Sequence, residues 1–196
     1  GRGVYGGRAI GIDQTGRNIG YSDDGSWLGG RGKAELFLFV VGDYYGAPDL
    51  RFQGRMTAEG KPLEILDRSG SNAVADFDGD GNLEMVLLNA GKLEGYRLAS
   101  EPGDTDLTPL GIVQEPSGNF NMDIQFPSPT PILLPEKTKP DLIMGSFSGE
   151  VFFSPNKSSH AGELVFERQK RVMCRDTIFR LGGFAVPAFG DLTGNG

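Results

Sequence analysis

The chain has 196 residues, a formal net charge of −7 at pH 7, and 31 glycines and 12 prolines. An acidic chain repels phosphate backbones, which argues against a nucleic-acid partner, and no run of 18 apolar residues predicts a membrane span. Short apolar runs alternate with turn residues, and no long segment has a period of 3.6 residues. We therefore predict an all-β fold with many tight connections.

The N-terminal part of the chain predicts one insertion and one hairpin. Residues 16–33 form a glycine-rich insertion, a type of segment that often carries ligand contacts. Trp27 within it can stack on a sugar ring or fill a gap between sheets. Residues 36–46 then form an apolar strand and a turn that lead to a second strand at 50–52. The predicted ligand contacts in this region are Trp27, Tyr44 and Tyr45.

The same hairpin plan recurs twice further along the chain. Residues 84–91 lead to a strand at 93–97, and residues 141–149 lead to a strand at 151–153. The first strand of each hairpin is apolar on both faces, which predicts a strand that is buried between two other sheets. The three hairpins therefore indicate an internal repeat.

A second element precedes the hairpins and gives the period of the repeat. It begins at Asp76 and again at Asp191, 115 residues later, which is two periods of about 57 residues. A degenerate start at Leu133 lies between them, and a weaker one contains Asp13. A period of this length carries about four short strands, which fits one blade of a propeller.

The segment 76–84 predicts a metal-binding loop. Oxygen-bearing side chains occupy alternate positions 1, 3, 5, 7 and 9, and they are Asp76, Asp78, Asp80, Asn82 and Glu84. Oxygen donors at this spacing suit Ca²⁺, which binds 6–8 oxygens, and carboxylates this close repel one another without a cation. An EF-hand is excluded, because position 12 is Leu87 rather than an acid and the loop runs into a strand.

The other copies of this loop are less complete. The last copy has Asp191, Thr193 and Asn195 at positions 1, 3 and 5. In residues 133–141 only one ligand position has an acid, Asp141 at position 9, and positions 5 and 7 are lysines, so we predict no calcium there. In the first copy, Arg17 replaces an acid.

The pattern Asp-x-Asp-x-Asp-Gly-x-x-Glu between two strands resembles the FG-GAP and VCBS repeats of integrin α-subunit propellers and of many secreted bacterial proteins. The resemblance implies an all-β, β-propeller fold with four-stranded blades. About three blades and the start of a fourth are expected, at roughly 5–66, 72–120, 128–175 and 182–196. It also implies a structural Ca²⁺ bound by the side chains of Asp76, Asp78, Asp80 and Glu84 and by the main-chain carbonyl of Asn82. A second, weaker metal site that begins with Asp191, Thr193 and Asn195 is implied in the same way.

Two functions are compatible with this reading of the residues. The first is a non-catalytic binding or adhesion scaffold, secreted or on the cell surface, which is held together by calcium and binds a polysaccharide or a protein. The second is part of a calcium-dependent polysaccharide lyase, similar to rhamnogalacturonan lyases. A lyase needs a base and cations beside a uronate, but the candidates form no constellation: Tyr44, Tyr45, Arg51, Arg55 and His160. The sequence therefore favours the scaffold and identifies no catalytic residue.

The chain has one cysteine and one histidine. Cys174 is the only cysteine, which excludes an internal disulfide, and we predict that it is a partly buried free thiol. His160 is the only histidine and lies in the polar stretch 156–162, for which we predict a surface loop.

Overall fold

A computed structural model describes residues 8–13, 35–45, 47–65, 71–101, 103–125 and 127–189. These residues form strands and connecting turns with no helix, which confirms the all-β prediction, and none of the sheets closes into a barrel. The described residues accordingly contain no helix that is long and apolar enough to cross a membrane.

The first sheet is an antiparallel meander of three strands. They are β1 (Arg8–Asp13), β2 (Glu35–Tyr44) and β3 (Ala47–Arg55). Strands β2 and β3 are the predicted hairpin, whose register shifts between Leu38 and Phe39. The first hairpin of the repeat is therefore confirmed.

The second sheet has six strands. They are β4 (Thr57–Ala58), β5 (Lys61–Pro62), β6 (Asn72–Ala75), β7 (Glu84–Asn89), β8 (Lys92–Arg97) and β9 (Asp106–Ile112), in the spatial order β5-β4-β9-β8-β7-β6. Strands β6 to β9 form an antiparallel meander that contains the second predicted hairpin, β7–β8.

Strands β4 and β5 extend the second sheet and do not add a fourth strand to the first. Strand β4 pairs in parallel with β9, and the Asp106 carboxylate accepts hydrogen bonds from Thr57 Oγ1 at 2.5 Å and Gly60 N at 2.9 Å. A four-stranded unit was expected within residues 5–66. The described part of that range instead gives three strands to the first sheet and two to the edge of the second.

The remaining strands form one four-stranded sheet and two short ribbons. The first ribbon is β10 (Gln114–Glu115) with β11 (Gly118–Asn119). The third sheet is the meander β12 (Ser128–Ile132), β13 (Asp141–Gly145), β14 (Val151–Ser154) and β15 (Lys170–Arg171). The last ribbon is β16 (Met173–Cys174) with β17 (Thr177–Ile178). Strands β13 and β14 confirm the third predicted hairpin.

The sheets pack face to face in chain order, with strand β7 in the middle of the stack. Met85 and Leu87 belong to an apolar cluster with Leu38 of the first sheet. Val86 belongs to a second cluster with Met144 of the third sheet. All six residues of β7 are buried, so the prediction of a strand covered on both faces is confirmed. Each large apolar side chain buried in this way contributes about 1.5–3 kcal/mol.

The prediction that Cys174 is partly buried is wrong. The thiol is exposed, because β16 and β17 form a two-stranded ribbon whose four residues all lie outside the apolar clusters. A ribbon of this length has no second layer above it that could cover a side chain.

The segment that follows the last ribbon lies against the third sheet. Ala185 N donates to Ser146 O at 3.0 Å, and Thr130 Oγ1 donates to Pro187 O at 2.8 Å. Gly145, at the end of β13, lies directly beneath this segment, and a Cβ at that position would overlap with the Ala185 carbonyl group. The close approach of the two backbones therefore requires glycine.

We expect Gly145→Ala to lower the free energy of unfolding by about 1–3 kcal/mol, the usual cost of inserting a methyl group into a packed site. Urea unfolding measures the change. The matched control is Gly182→Ala, because a Cβ at Gly182 would meet no atom within 4 Å. Equal effects of the two substitutions would contradict the contact between residues 184–187 and β13.

Candidate metal centre

The segment 76–84 connects β6 to β7 across a tight turn. Gly79 and Gly81 have φ angles of 77° and 90°, in the left-handed region that favours glycine. Asp76 stabilises the turn, because its two carboxylate oxygens accept hydrogen bonds from Gly79 N at 2.7 Å and Gly81 N at 3.1 Å. The loop therefore runs from strand to strand, as its sequence predicts, and has no flanking helix.

Three acids of the loop converge on one point. Asp76, Asp78 and Glu84 each offer a carboxylate oxygen, and these oxygens lie within 4.8 Å of one another. Calcium binds oxygen at 2.3–2.6 Å, so two oxygens that share one ion lie at most about 5 Å apart. The triad thus fits the requirement of a single hard cation.

Two of these acids are buried. Asp78 is 4% exposed and Glu84 is fully buried. Burial, together with the neighbouring charge of Asp78, raises the pKa of the Glu84 carboxyl to about 7. Hydrogen bonds from Phe77 N at 2.9 Å and Asp78 N at 3.4 Å to Glu84 Oε2 oppose this effect. Further positive charge would therefore stabilise the ionised form of Glu84.

Asp80 and Asn82 lie at the exposed side of the loop. Asp80 Oδ1 accepts hydrogen bonds from the main-chain N and from Nδ2 of Asn82, both at 2.9 Å, and the main-chain bond lowers the pKa of Asp80. Asp80 is not a member of the convergent triad, and the Asn82 side chain points its amide at Asp80. The structure therefore brings together three of the four predicted carboxylates, with the fourth beside them.

Arg97 is a member of this cluster that the sequence analysis missed. Its Nη2 donates to Asp78 Oδ2 at 2.9 Å and to Asp80 Oδ2 at 2.8 Å, and its Nε lies 3.5 Å from Glu84 Oε1. Arg97 ends β8 directly opposite Glu84 in the β7–β8 register. Counting back across a two-residue turn from Asn89 and Lys92 would have located it.

The following repeat completes the surroundings of the loop. Gly162 N donates to Asp78 Oδ2 at 2.5 Å, and Asn156 Nδ2 donates to the Phe77 carbonyl at 2.7 Å. The Phe77 ring packs edge-on against Phe166, with ring centres 5.6 Å apart. The loop is therefore held between the second sheet and the segment that follows the third hairpin.

The third copy of the loop has a lysine where the second has an acid. Lys137 Nζ lies 2.6 Å and 2.8 Å from the two carboxylate oxygens of Asp141, which is fully buried. Asn156 N also donates to Asp141 Oδ1 at 2.8 Å. The only acid at a ligand position of this copy is thus already paired with a cation of the chain itself.

Of the three predicted ligand contacts, the structure describes the side chain of Tyr45 alone. Tyr45 occupies the turn between β2 and β3, with a φ of 53° and 93% of its surface exposed. Tyr44 ends β2, where the structure describes only the backbone. Trp27, and the weaker metal candidates Asp191, Thr193 and Asn195, lie outside the described residues.

An open cleft of about 320 Å³ lies beside the loop, between β9 and residues 160–164. His160 lines it and is exposed, which confirms that the polar stretch forms a surface loop. None of the residues that line this cleft is an arginine, a lysine or a tyrosine. The cleft thus lacks the cations with which a lyase holds a uronate carboxylate.

In chelator, we expect the free energy of unfolding to fall as the pH rises from about 4.5 to about 7. Over this window the folded protein retains a proton on Glu84 that the unfolded chain releases, so a rising pH favours unfolding. The loss is on the order of 2–3 kcal/mol, because one pKa unit corresponds to about 1.4 kcal/mol. Urea unfolding at a series of pH values measures it. Glu84→Gln should flatten the curve and Glu101→Gln, an exposed control, should not; a slope that persists in Glu84→Gln would refute the assignment.

Lys137→Met should lower stability by about 1–3 kcal/mol, because it leaves a buried carboxylate without its cation. Thermal unfolding detects the change. Lys157→Met removes an exposed pair with Glu167, whose side chains are 50% and 32% exposed, and should cost less than about 1 kcal/mol. Adding Asp141→Asn to Lys137→Met should restore part of the loss. Equal losses of stability in the two lysine variants would show that the Lys137–Asp141 pair contributes no more than an exposed ion pair.

Comparison of the chain with protein-family models, with curated proteins and with solved structures gave no match. The chemistry of the centre is therefore inferred from its own atoms. They are the convergent oxygens of Asp76, Asp78 and Glu84, the guanidinium of Arg97, and the N–H donors of the neighbouring repeat.

Proposed function

We propose that residues 76–84 bind Ca²⁺ and that the ion has a structural role. The observation that carries this proposal is the convergence of Asp76, Asp78 and Glu84 within 4.8 Å, with two of the three acids buried. Burial of ionised carboxylates is unfavourable unless a cation or hydrogen-bond donors interact with them. A divalent cation can bind all three carboxylates at once.

The donor set favours calcium over other metals. The side-chain donors of the loop are oxygens, and it contains neither histidine nor cysteine, the ligands that suit zinc and copper. Mg²⁺ needs near-ideal octahedral geometry and retains several waters, whereas Ca²⁺ accepts irregular cages of 6–8 oxygens. Asp80 and the Asn82 carbonyl are the further ligands that the resemblance to FG-GAP and VCBS repeats implies.

The position of the loop explains why the ion would be structural. Asp78 accepts a hydrogen bond from Gly162, and the Phe77 carbonyl accepts one from Asn156, so the loop connects two repeats. Fixing the loop with a cation would also fix these contacts. A cage that protein oxygens fill leaves no coordination position for a substrate.

The stacked sheets support a wider proposal, a secreted or cell-surface scaffold of the FG-GAP/VCBS propeller type that binds a polysaccharide or a protein. Successive meanders pack face to face, and β6, the first strand of one meander, lies beside β12, the first strand of the next. Neighbouring inner strands of this kind are what a ring of blades requires. Extracellular calcium, at millimolar concentrations, would saturate even a weak site.

Calorimetric titration of the full chain with CaCl₂, together with thermal unfolding with and without chelator, tests the calcium site. We expect saturable binding and a melting temperature that rises with calcium, because the free energy of unfolding increases by RT ln(1 + [L]/Kd), about 2.7 kcal/mol at a hundred times Kd. Both effects should be lost in the double variant Asp78→Asn with Asp80→Asn.

The matched control is Glu101→Gln with Asp176→Asn, which removes the same charge at two exposed positions outside the loop. It should bind calcium as the unchanged chain does. Loss of binding in both double variants would indicate diffuse attraction of the ion to an acidic surface. Absence of binding in the unchanged chain would remove the calcium proposal altogether.

A further inference from the structure

Arg97 occupies the position of a cation at the loop. Its guanidinium contacts Asp78, Asp80 and Glu84 at 2.9, 2.8 and 3.5 Å. The side chain is 29% exposed, whereas the side chains of Asp78 and Glu84 are fully buried. A guanidinium is charged at every physiological pH and presents a rigid fork of donors that matches carboxylates. Arg97 thus pairs with the two least accessible acids of the site.

The oxygens that Arg97 uses are the ones that a metal ion would need. Asp78 Oδ2 accepts from both Arg97 and Gly162, and Asp78 Oδ1 accepts from Asp80 N at 3.0 Å. Glu84 Oε1 faces Arg97, and Glu84 Oε2 accepts from main-chain N–H groups. A divalent ion within a few ångströms of a guanidinium would also be repelled strongly. Arg97 and the metal therefore compete for the same carboxylates.

The third repeat shows that this place in the fold accepts a side-chain cation as a permanent occupant. There Lys137 pairs with Asp141, the only acid at a ligand position of that loop, at 2.6 Å. One lysine and one carboxylate balance. The second copy of the loop contains Asp76, Asp78, Asp80 and Glu84, and Arg97 contacts the last three of these acids, so negative charge remains in excess. Arg97 can stabilise the loop without neutralising all of its acids.

We infer that Arg97 is a built-in counter-ion that stabilises the metal-free loop and lowers its affinity for calcium, because it must give up Asp78 and Glu84 when the ion binds. This inference rests on the proposed calcium site and adds its regulation. The affinity is then set by the difference between two occupants of one cluster. Calcium binding becomes an exchange of cations, and the loop is ordered on both sides of that exchange.

Titration of Arg97→Gln with CaCl₂ by calorimetry tests the inference. We expect a Kd about 10–100-fold lower than that of the unchanged chain, since the lost ion-pair contacts no longer oppose the metal. In chelator, the same variant should melt roughly 3–8 °C lower, because two buried acids lose their partner. At saturating calcium the difference in melting temperature should shrink or reverse. Tighter binding with lower metal-free stability is a combination that a purely structural role of Arg97 would not give.

Lys92→Gln is the matched control, because Lys92 begins the same strand and is exposed, and its loss changes the net charge equally. It should leave Kd within about twofold, the expected size of a general charge effect. Arg97→Lys keeps the charge but loses the fork, so it should fold normally and bind calcium with intermediate affinity. This variant keeps the inference testable if Arg97→Gln fails to fold.

An unchanged or weaker affinity in both Arg97 variants would overturn the inference while leaving the calcium site standing. If no chain binds calcium, the calcium site itself fails, and the exchange with it. If Arg97→Gln binds calcium and the unchanged chain does not, Arg97 is a permanent occupant, and the proposed function is overturned while the competition is upheld.

Discussion

The structure depends on the burial of strand β7 on both of its faces. A strand with no solvent-facing side needs a sheet on each side to cover it, and the first and third sheets provide this cover through separate apolar clusters. Glu84 is the first residue of that strand, so its carboxylate lies in the buried layer. The need for positive charge beside residues 76–84 is therefore a consequence of where β7 lies, because a buried acid without a partner is costly.

Two copies of one loop meet this need in different ways. In the third repeat the chain supplies a lysine for one acid, and the charges balance. In the second repeat it supplies one arginine for a group of acids, which leaves room for a second cation. The same backbone thus supports two kinds of loop. In one, a lysine of the chain balances the acid; in the other, a cation from the solution would be needed to balance the remaining acids.

Much of the fold could be predicted from the sequence because it is determined locally. Three hairpins, and the two-sided burial of β7, follow from apolar runs and turn residues that are adjacent in the chain. The pairing of strand β4 was not predicted, because its partner β9 begins 49 residues after Thr57, at Asp106, where no local pattern shows the pairing. The predicted burial of Cys174 was wrong for a related reason, since the exposure of its thiol depends on the absence of a layer of described residues above β16.

The candidate site likewise has local features that could be predicted from the sequence and long-range contacts that could not. The acids of the loop are visible as a spacing, and Arg97 was within reach because the β7–β8 register places it opposite Glu84. Gly162 and Asn156 were not, since they are 84 and 79 residues from their partners Asp78 and Phe77. Contacts between repeats depend on how the sheets stack, and the spacing of side chains within one repeat gives no information about that stacking.

The contact between Asp78 and Gly162 has a consequence for the cooperativity of the whole chain. Sheets that touch only their neighbours unfold as a row of linked units, and the strength of each junction decides whether two units melt together or separately. The acidic loop lies at the junction of the second and third sheets and at no other that the described residues form. An ion there would strengthen the junction of the second and third sheets and would not act on the junction of the first and second sheets, where the described residues form an apolar cluster.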